Sequence, residues 1–227
     1  TSEENQMAEN IPATTRSGGG VAELLHRLVP WTDALGIQTR WDVLEGSAEF
    51  FDVTKTMHNA LQGGDIELTE RERKIFEEVC YENAVRMHLD HDVVIVHEWN
   101  DPEWIARVGE QAARLGCTVL FHDTHHRSVT DAQTMSSLDL SNYDGVLAFG
   151  KAVADRYAES GWARRAWVWH EAADLRRFHP LPRTEQSGDV VWIGNWGDGE
   201  RSAELYEFLI KPVARLNLRA TIHGVRY

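Results

Sequence analysis

Residues 92–123 read DVVIVHEWNDPEWIARVGEQAARLGCTVLFHD, and this stretch decides the fold. The run VVIV at 93–96 is short, unbroken and apolar between polar flanks, the pattern of a strand buried on both faces of a parallel sheet. Asp101 followed by Pro102 is a helix start. The aspartate caps free N–H groups, and proline fits the first helical position, where no N–H partner is needed. The helix it opens covers 103–115, and TVLF at 118–121 is a second strand. Strand, helix and strand with no hairpin turn between them predict two parallel strands joined by a crossover helix.

The same alternation extends outward in both directions. Downstream come a strand at 145–149, a helix at 152–160 and a strand at 166–169. Upstream, Val21, Leu24, Leu25, Leu28 and Val29 form one apolar helical face after Gly18-Gly19-Gly20, and Pro30 is expected to bend or end that helix before Gly36. A strand at 39–44 and a helix at 50–61 follow, and Thr69 with Glu72 form a capping box that opens a charged helix to about Met87. A polar interruption at 180–188 precedes a restart: a strand at 190–193, a helix at 202–216 and a strand at 220–222. The expected class is therefore α/β, a Rossmann-like parallel sheet with helices on both faces over 18–179, then a linker at 180–188. Residues 189–227 give the first βαβ unit of a second Rossmann-like domain, a unit too small to fold alone. Residues 1–17 are polar without an apolar run and are expected to be a disordered leader that supplies no first strand.

Composition narrows the partners. Twenty-three Lys+Arg against 36 Asp+Glu give a formal charge of −13, which repels nucleic-acid backbones and anionic lipid, so neither nucleic acid nor a membrane surface is expected. A single diphosphate stays compatible, because backbone N–H groups at a helix N-terminus can hold it. Cys80 and Cys117 are too few for a disulfide framework and are expected to be buried thiols of a cytoplasmic protein. No stretch reaches the length of a membrane span, and no signal-peptide pattern opens the chain.

Two sets of motifs carry a resemblance. SGGGVAELLHRLVPWTDALGIQTRWDVLEG and EFFDVTKTMHNALQG resemble the start of the trehalose synthase and trehalose phosphorylase group of retaining GT-B glycosyltransferases (GT4 type), over about residues 17–96. From about residue 94 onward HEWNDPEWIARVG, LFHDTHHRSVTD, LSNYDGVLAFG, WVWHEAADLRRFHP and WIGNWGDGERSAELYEFL resemble CgeB-related bacterial GT-B enzymes. The resemblance implies a GT-B N-terminal, acceptor-side domain followed by a truncated start of the donor-nucleotide domain. It implies transfer of a hexose, glucose by expectation, from a nucleoside diphosphate sugar to a sugar acceptor, with no metal or other cofactor. By the same resemblance Gly18, Gly19 and Gly20 lie beside donor diphosphate and acceptor, and Gly194, Gly197 and Arg201 face the donor phosphates.

The residues themselves propose further site members. Lys55, His58 and Asn59 stand at i, i+3 and i+4, so a helix puts them on one face able to bond sugar hydroxyls; a solvated face is the plainer reading. The cluster HDTHH (His122, Asp123, His125, His126) follows the 118–121 strand at the carboxyl edge, where open α/β sheets bind ligands. His122 is the expected catalytic-site histidine of that cluster. His97, Glu98 and Asp101 occupy the equivalent place after the 93–96 strand, with Glu98 as either a base or a helix cap.

Two other classes compete. In one, the chain is a non-catalytic half-enzyme, chimera or assembly fragment, inactive alone, whose exposed half-domain edge associates with a second copy or a complementing C-terminal half. In the other, HDTHH holds a metal for a hydrolase.

Overall fold

The structure is a computed structural model that describes residues 20–61, 68–87, 89–98, 100–180, 182, 187–194 and 199–224. The expected leader at 1–17 lies outside the described residues, as do Gly18, Gly19 and Gly197. The chain divides into two compact units, Thr1–Asp174 and Leu175–Tyr227.

The first unit opens with three helices, α1 (Gly20–Ala34), α2 (Ala48–Leu61) and α3 (Glu70–Arg86). Helix α1 runs through Pro30 and stops before Gly36, whose φ of 83° reverses the chain. Helix α3 starts at the expected capping box, where the Thr69 hydroxyl accepts from the Glu72 N–H and the Glu72 carboxylate accepts from the Thr69 N–H. The expected strand at 39–44 does not form: residues 37–47 have neither helix nor ladder. They are held instead by side chains, with Asn83 bonded to both the N–H and the C=O of Glu45 at 2.8 Å. Strand propensity alone gives no strand where no neighbour supplies a ladder.

A four-stranded parallel sheet follows, in the order β1 (Val93–His97), β2 (Thr118–Asp123), β3 (Gly145–Ala148), β4 (Ala166–Val168). The crossovers are α4 (Pro102–Arg114), the short pair α5 (Arg127–Thr130) and α6 (Ala132–Ser136), and α7 (Lys151–Ser160). Each step moves to the next strand in the same direction. Right-handed crossovers of that kind place all their helices on one face. On the side of Ile95 and His97, Val21, Ala22 and Leu25 of α1 line a cavity with those two residues. Val96 on the helix side is buried, whereas Val93 and Ile95 on the other side are 50% and 39% exposed. The alternation of a strand thus divides the sheet into a packed face and an open face.

The packed face holds the core. Val119 and Phe121 of β2 and Ile105, Val108 and Ala112 of α4 are buried, each large side chain contributing about 1.5–3 kcal/mol. Asp101 caps α4 as expected, accepting from Glu103 N at 2.9 Å and Trp104 N at 3.0 Å. Tyr143 crosses beneath and donates to the Ile105 carbonyl at 2.7 Å. Its ring lies so close to Gly109 that a Cβ there would sit 2.5 Å from Cε2. Gly109→Ala is therefore expected to destabilise the unit by about 1–3 kcal/mol through overpacking, outweighing the ~1 kcal/mol gained in helix propensity. Urea denaturation checks this, and an unchanged or raised midpoint would show that Tyr143 moves aside freely.

The second unit is one parallel βαβ, with β5 (Val190–Ile193) paired to β6 (Ala220–His223). The connecting helix is not uniform: α8 (Gly199–Leu205), a π-helical turn (Tyr206–Ile210) and α9 (Lys211–Arg215). Pro212 has no N–H for the preceding turn, and the helix is wound wider directly before it. Among the described residues no helix is long and apolar enough to cross a membrane. Cys80 is buried as expected, whereas Cys117 is only partly buried and donates its thiol to the Leu89 carbonyl at 3.2 Å.

Candidate functional site

The carboxyl ends of β1 and β2 bring together residues that the sequence places 25 positions apart. Pairing of Val96 with Phe121 and of His97 with His122 sets the two imidazoles side by side on the open face. Their Nδ1 atoms are 3.1 Å apart, so one ring donates and the other accepts. Burial lowers the His97 pKa to about 4 and that of His122 to about 3, the neighbouring His97 adding to the second shift. Both rings are therefore neutral near pH 7. The His122 ring packs against Trp169, with centroids 4.9 Å apart and planes tilted by 36°. His122 is only 2% exposed, and its Nε2 has no hydrogen-bond partner among the described residues.

One residue further along each strand, the side chains turn to the packed face. There Glu98 and Asp123 form an acid network. Glu98 Oε1 accepts from the Thr124 N–H and hydroxyl, both at 2.9 Å, and Oε2 lies 3.3 Å from Arg127. Asp123 accepts from the Tyr157 hydroxyl at 3.0 Å and from the His125 N–H at 3.1 Å. Burial and then the charge of Asp123 raise the Glu98 pKa to about 8, against the pull of Arg127 and Thr124. Asp123 is also raised, chiefly by burial. Two buried carboxylates beside one guanidinium hold a proton to higher pH than either would in water.

These placements sort the expected residues. His122 stands where the carboxyl-edge rule put it, with His97 as a partner that spacing could not reveal. Glu98 does not cap the following helix, since Asp101 does; its carboxylate is turned inward. The HDTHH side chains diverge: His122 faces the open side and Asp123 the packed side, while His125 and His126 stack on each other at 4.0 Å in the turn. Among the described residues no three His, Cys, Asp or Glu side chains converge as a metal site would require.

Gly20 opens α1, and the next two residues, Val21 and Ala22, line a cavity of about 70 Å³ together with Trp41, Ile95, His97 and Asn100. The start of α1 thus lies at the same sheet crest as His97. Lys55, His58 and Asn59 lie on α2, which packs on α3 through Phe50 and Phe76; the side chains of all three are outside the described residues. In the second unit the Gly194 N–H donates to the His223 carbonyl at 2.9 Å. A Cβ on Gly194 would meet the Trp192 ring at 2.9 Å, so this glycine has a packing reason of its own. Arg201 lies on α8, its side chain likewise outside the described residues.

Residues 11–147 match the family described as "Trehalose synthase, N-terminal domain". The chain belongs to this family. Over 87 residues it is 49% identical to a trehalose synthase of Pyrococcus horikoshii and 44% identical to one of Rubrobacter xylanophilus, covering 37% of this chain and 21% of each synthase. A trehalose phosphorylase of Pleurotus pulmonarius is 35% identical over 77 residues, 33% of this chain and 10% of the phosphorylase. The matched part of the chain spans about a fifth of the length of these synthases.

Proposed function

We propose that the first unit forms the acceptor-side wall of a retaining, nucleotide-sugar-dependent glycosyltransferase acting on a trehalose-related sugar, with glucose as the transferred hexose. The observation that carries this reading is His122 Nε2, buried at the carboxyl crest with no partner among the described residues, beside an indole face. A neutral imidazole nitrogen so placed pairs with a hydroxyl, which both donates and accepts, and Trp169 offers the flat apolar surface on which sugar rings pack. Membership of the trehalose synthase N-terminal family supports the same substrate class.

In this reading the residues orient rather than transfer protons. His122 holds a hydroxyl of the bound hexose, His97 fixes the His122 ring, and the glycine-rich sequence Gly18 to Gly20 is assigned to binding of the donor diphosphate. Lys55, His58 and Asn59 extend the acceptor wall. For the second unit, taken by itself, Gly194, Gly197 and Arg201 are assigned to phosphate binding. Positive charge at the leaving diphosphate and attack by the acceptor on the same face complete the reaction, so no protein base is assigned here.

The test is to titrate glucose, trehalose, ADP-glucose and UDP-glucose against the protein while following the His97 and His122 imidazoles by NMR and tryptophan fluorescence. At least one sugar is expected to move the His122 signals and quench fluorescence saturably. If all four leave His122 unmoved, the reading is wrong.

A further inference from the structure

The acid network beneath the crest has no part in the proposed chemistry, yet Glu98, Asp123, Arg127 and Tyr157 are all buried, and buried charge is kept at a cost. A well-packed apolar group of similar volume in such a place is often as stable or more so. What the charges supply here is position. After His97 the β1–β2 ladder has one bond left, Glu98 N–H to the His122 carbonyl at 3.1 Å. Beyond it the ladder is continued by a side chain: Glu98 Oε1 takes both the N–H and the hydroxyl of Thr124.

We propose that Glu98 is a positioning residue for the imidazole pair, its buried carboxylate tying the turn after β2 to the end of β1 and so fixing the rings of His97 and His122. The Glu98 side chain is fully buried, and the Arg127 side chain beside it is 8% exposed. Arg127 reaches Oε2 at 3.3 Å and the Glu98 carbonyl at 3.5 Å, so one guanidinium clamps both the side chain and the backbone of the residue next to His97. The groups that face Glu98 come from three elements: Asp123 and Thr124 at the end of β2, Arg127 from α5 and Tyr157 from α7. Asp123 does for His122 what Glu98 does for His97, held by Tyr157 from below. Since side chains alternate across a strand, a rotation of the backbone at 98 or 123 swings the imidazole one residue earlier. Holding both backbones keeps the two Nδ1 atoms at the 3.1 Å of a hydrogen bond in this proposal.

The ligand arm of the test rests on the sugar-site reading; the other arms need no ligand. Glu98→Leu keeps the volume and loses the tie, and Glu98→Gln keeps an oxygen for Thr124. Protein labelled with ¹⁵N is compared by imidazole NMR and by amide hydrogen exchange, with Gly109→Ala as a variant destabilised elsewhere. In Glu98→Leu the Thr124 amide is expected to exchange at least about tenfold faster, and the ring signals of both histidines to shift or broaden. Glu98→Gln should restore both readouts, and Gly109→Ala should change neither selectively. Ring signals and Thr124 protection unchanged in Glu98→Leu, or changed equally by Gly109→Ala, would overturn the proposal. If no sugar moves His122 in the unaltered protein, the functional reading falls while the positioning role is still decided by these variants. If a sugar does bind, Glu98→Leu should weaken it by about tenfold, and an unchanged affinity counts against the proposal.

Discussion

Replacing Arg127 by methionine is expected to lower the unfolding free energy by about 1.5–3 kcal/mol at pH 8, the range for a lost hydrogen bond to a charged group. The effect rests on burial: the Glu98 side chain is fully buried beside Asp123, and Arg127 is the cation whose charge favours ionised Glu98 there. It should shrink at pH 5. Glu98 has a native pKa raised to about 8 against 4.5 in an exposed state, so between those values the native protein binds the extra proton. Stability from this group is therefore present at the acid end of the window and declines as pH rises toward 8, and Asp123 acts in the same direction. At pH 5 the methionine faces a largely protonated Glu98 and little charge is left uncompensated. The double variant Arg127→Met with Glu98→Gln should recover most of the loss at pH 8. Urea denaturation at both pH values reads all three expectations. An equal loss at pH 5 and pH 8 would mean that packing of the arginine stem, not its charge, is what the site needs.

The parallel α/β class was legible because VVIV, the Asp101-Pro102 helix start and TVLF are each local signals, written in neighbouring residues. What covers the second face of a sheet is not local. An unbroken apolar run reads as two-sided burial, yet Val93 and Ile95 stay 50% and 39% exposed, since the crossover helices all take the side of Val96 when the strands line up in chain order. The segment at 39–44 failed for a related reason: a strand needs a neighbour, and the Asn83 side chain satisfies the Glu45 backbone instead. Within the site, His122 could be placed by the carboxyl-edge rule. Its pairing with His97 depends on register, which sequence does not print. Glu98 was read as a base or a cap because a strand-end carboxylate has both habits; that Arg127 and Thr124 would turn it inward is a tertiary fact. The family match at 11–147 took in the glycine-rich sequence at 18–20 and the ends of β1 and β2 together.

His122→Phe should separate what the imidazole does for stability from what it does for binding. Burial holds His122 neutral, with a native pKa of about 3 against 6.5 when exposed, so in that window the unfolded chain binds a proton that the native protein refuses. The stability concerned is present above 6.5 and is lost as pH falls toward 3. At about 1.4 kcal/mol per unit, phenylalanine is expected to gain roughly 2–3 kcal/mol on histidine between pH 7 and pH 4.5, offset at both by the lost Nδ1 bond to His97. The new ring keeps the contact with Trp169 and removes the unpartnered Nε2. Denaturation between pH 4 and 7 checks the first half, and an acid loss as steep as that of the unaltered protein would show that His122 is not the group that titrates. The second half is a sugar titration at pH 7, where affinity should fall at least about tenfold because a hydroxyl loses its only partner in an enclosed site. A buried nitrogen with no partner among the described residues, at a position where an apolar ring would be more acid-stable, is explained by a ligand that supplies the partner. Full sugar affinity in His122→Phe would remove that explanation and, with it, the observation on which the functional reading stands.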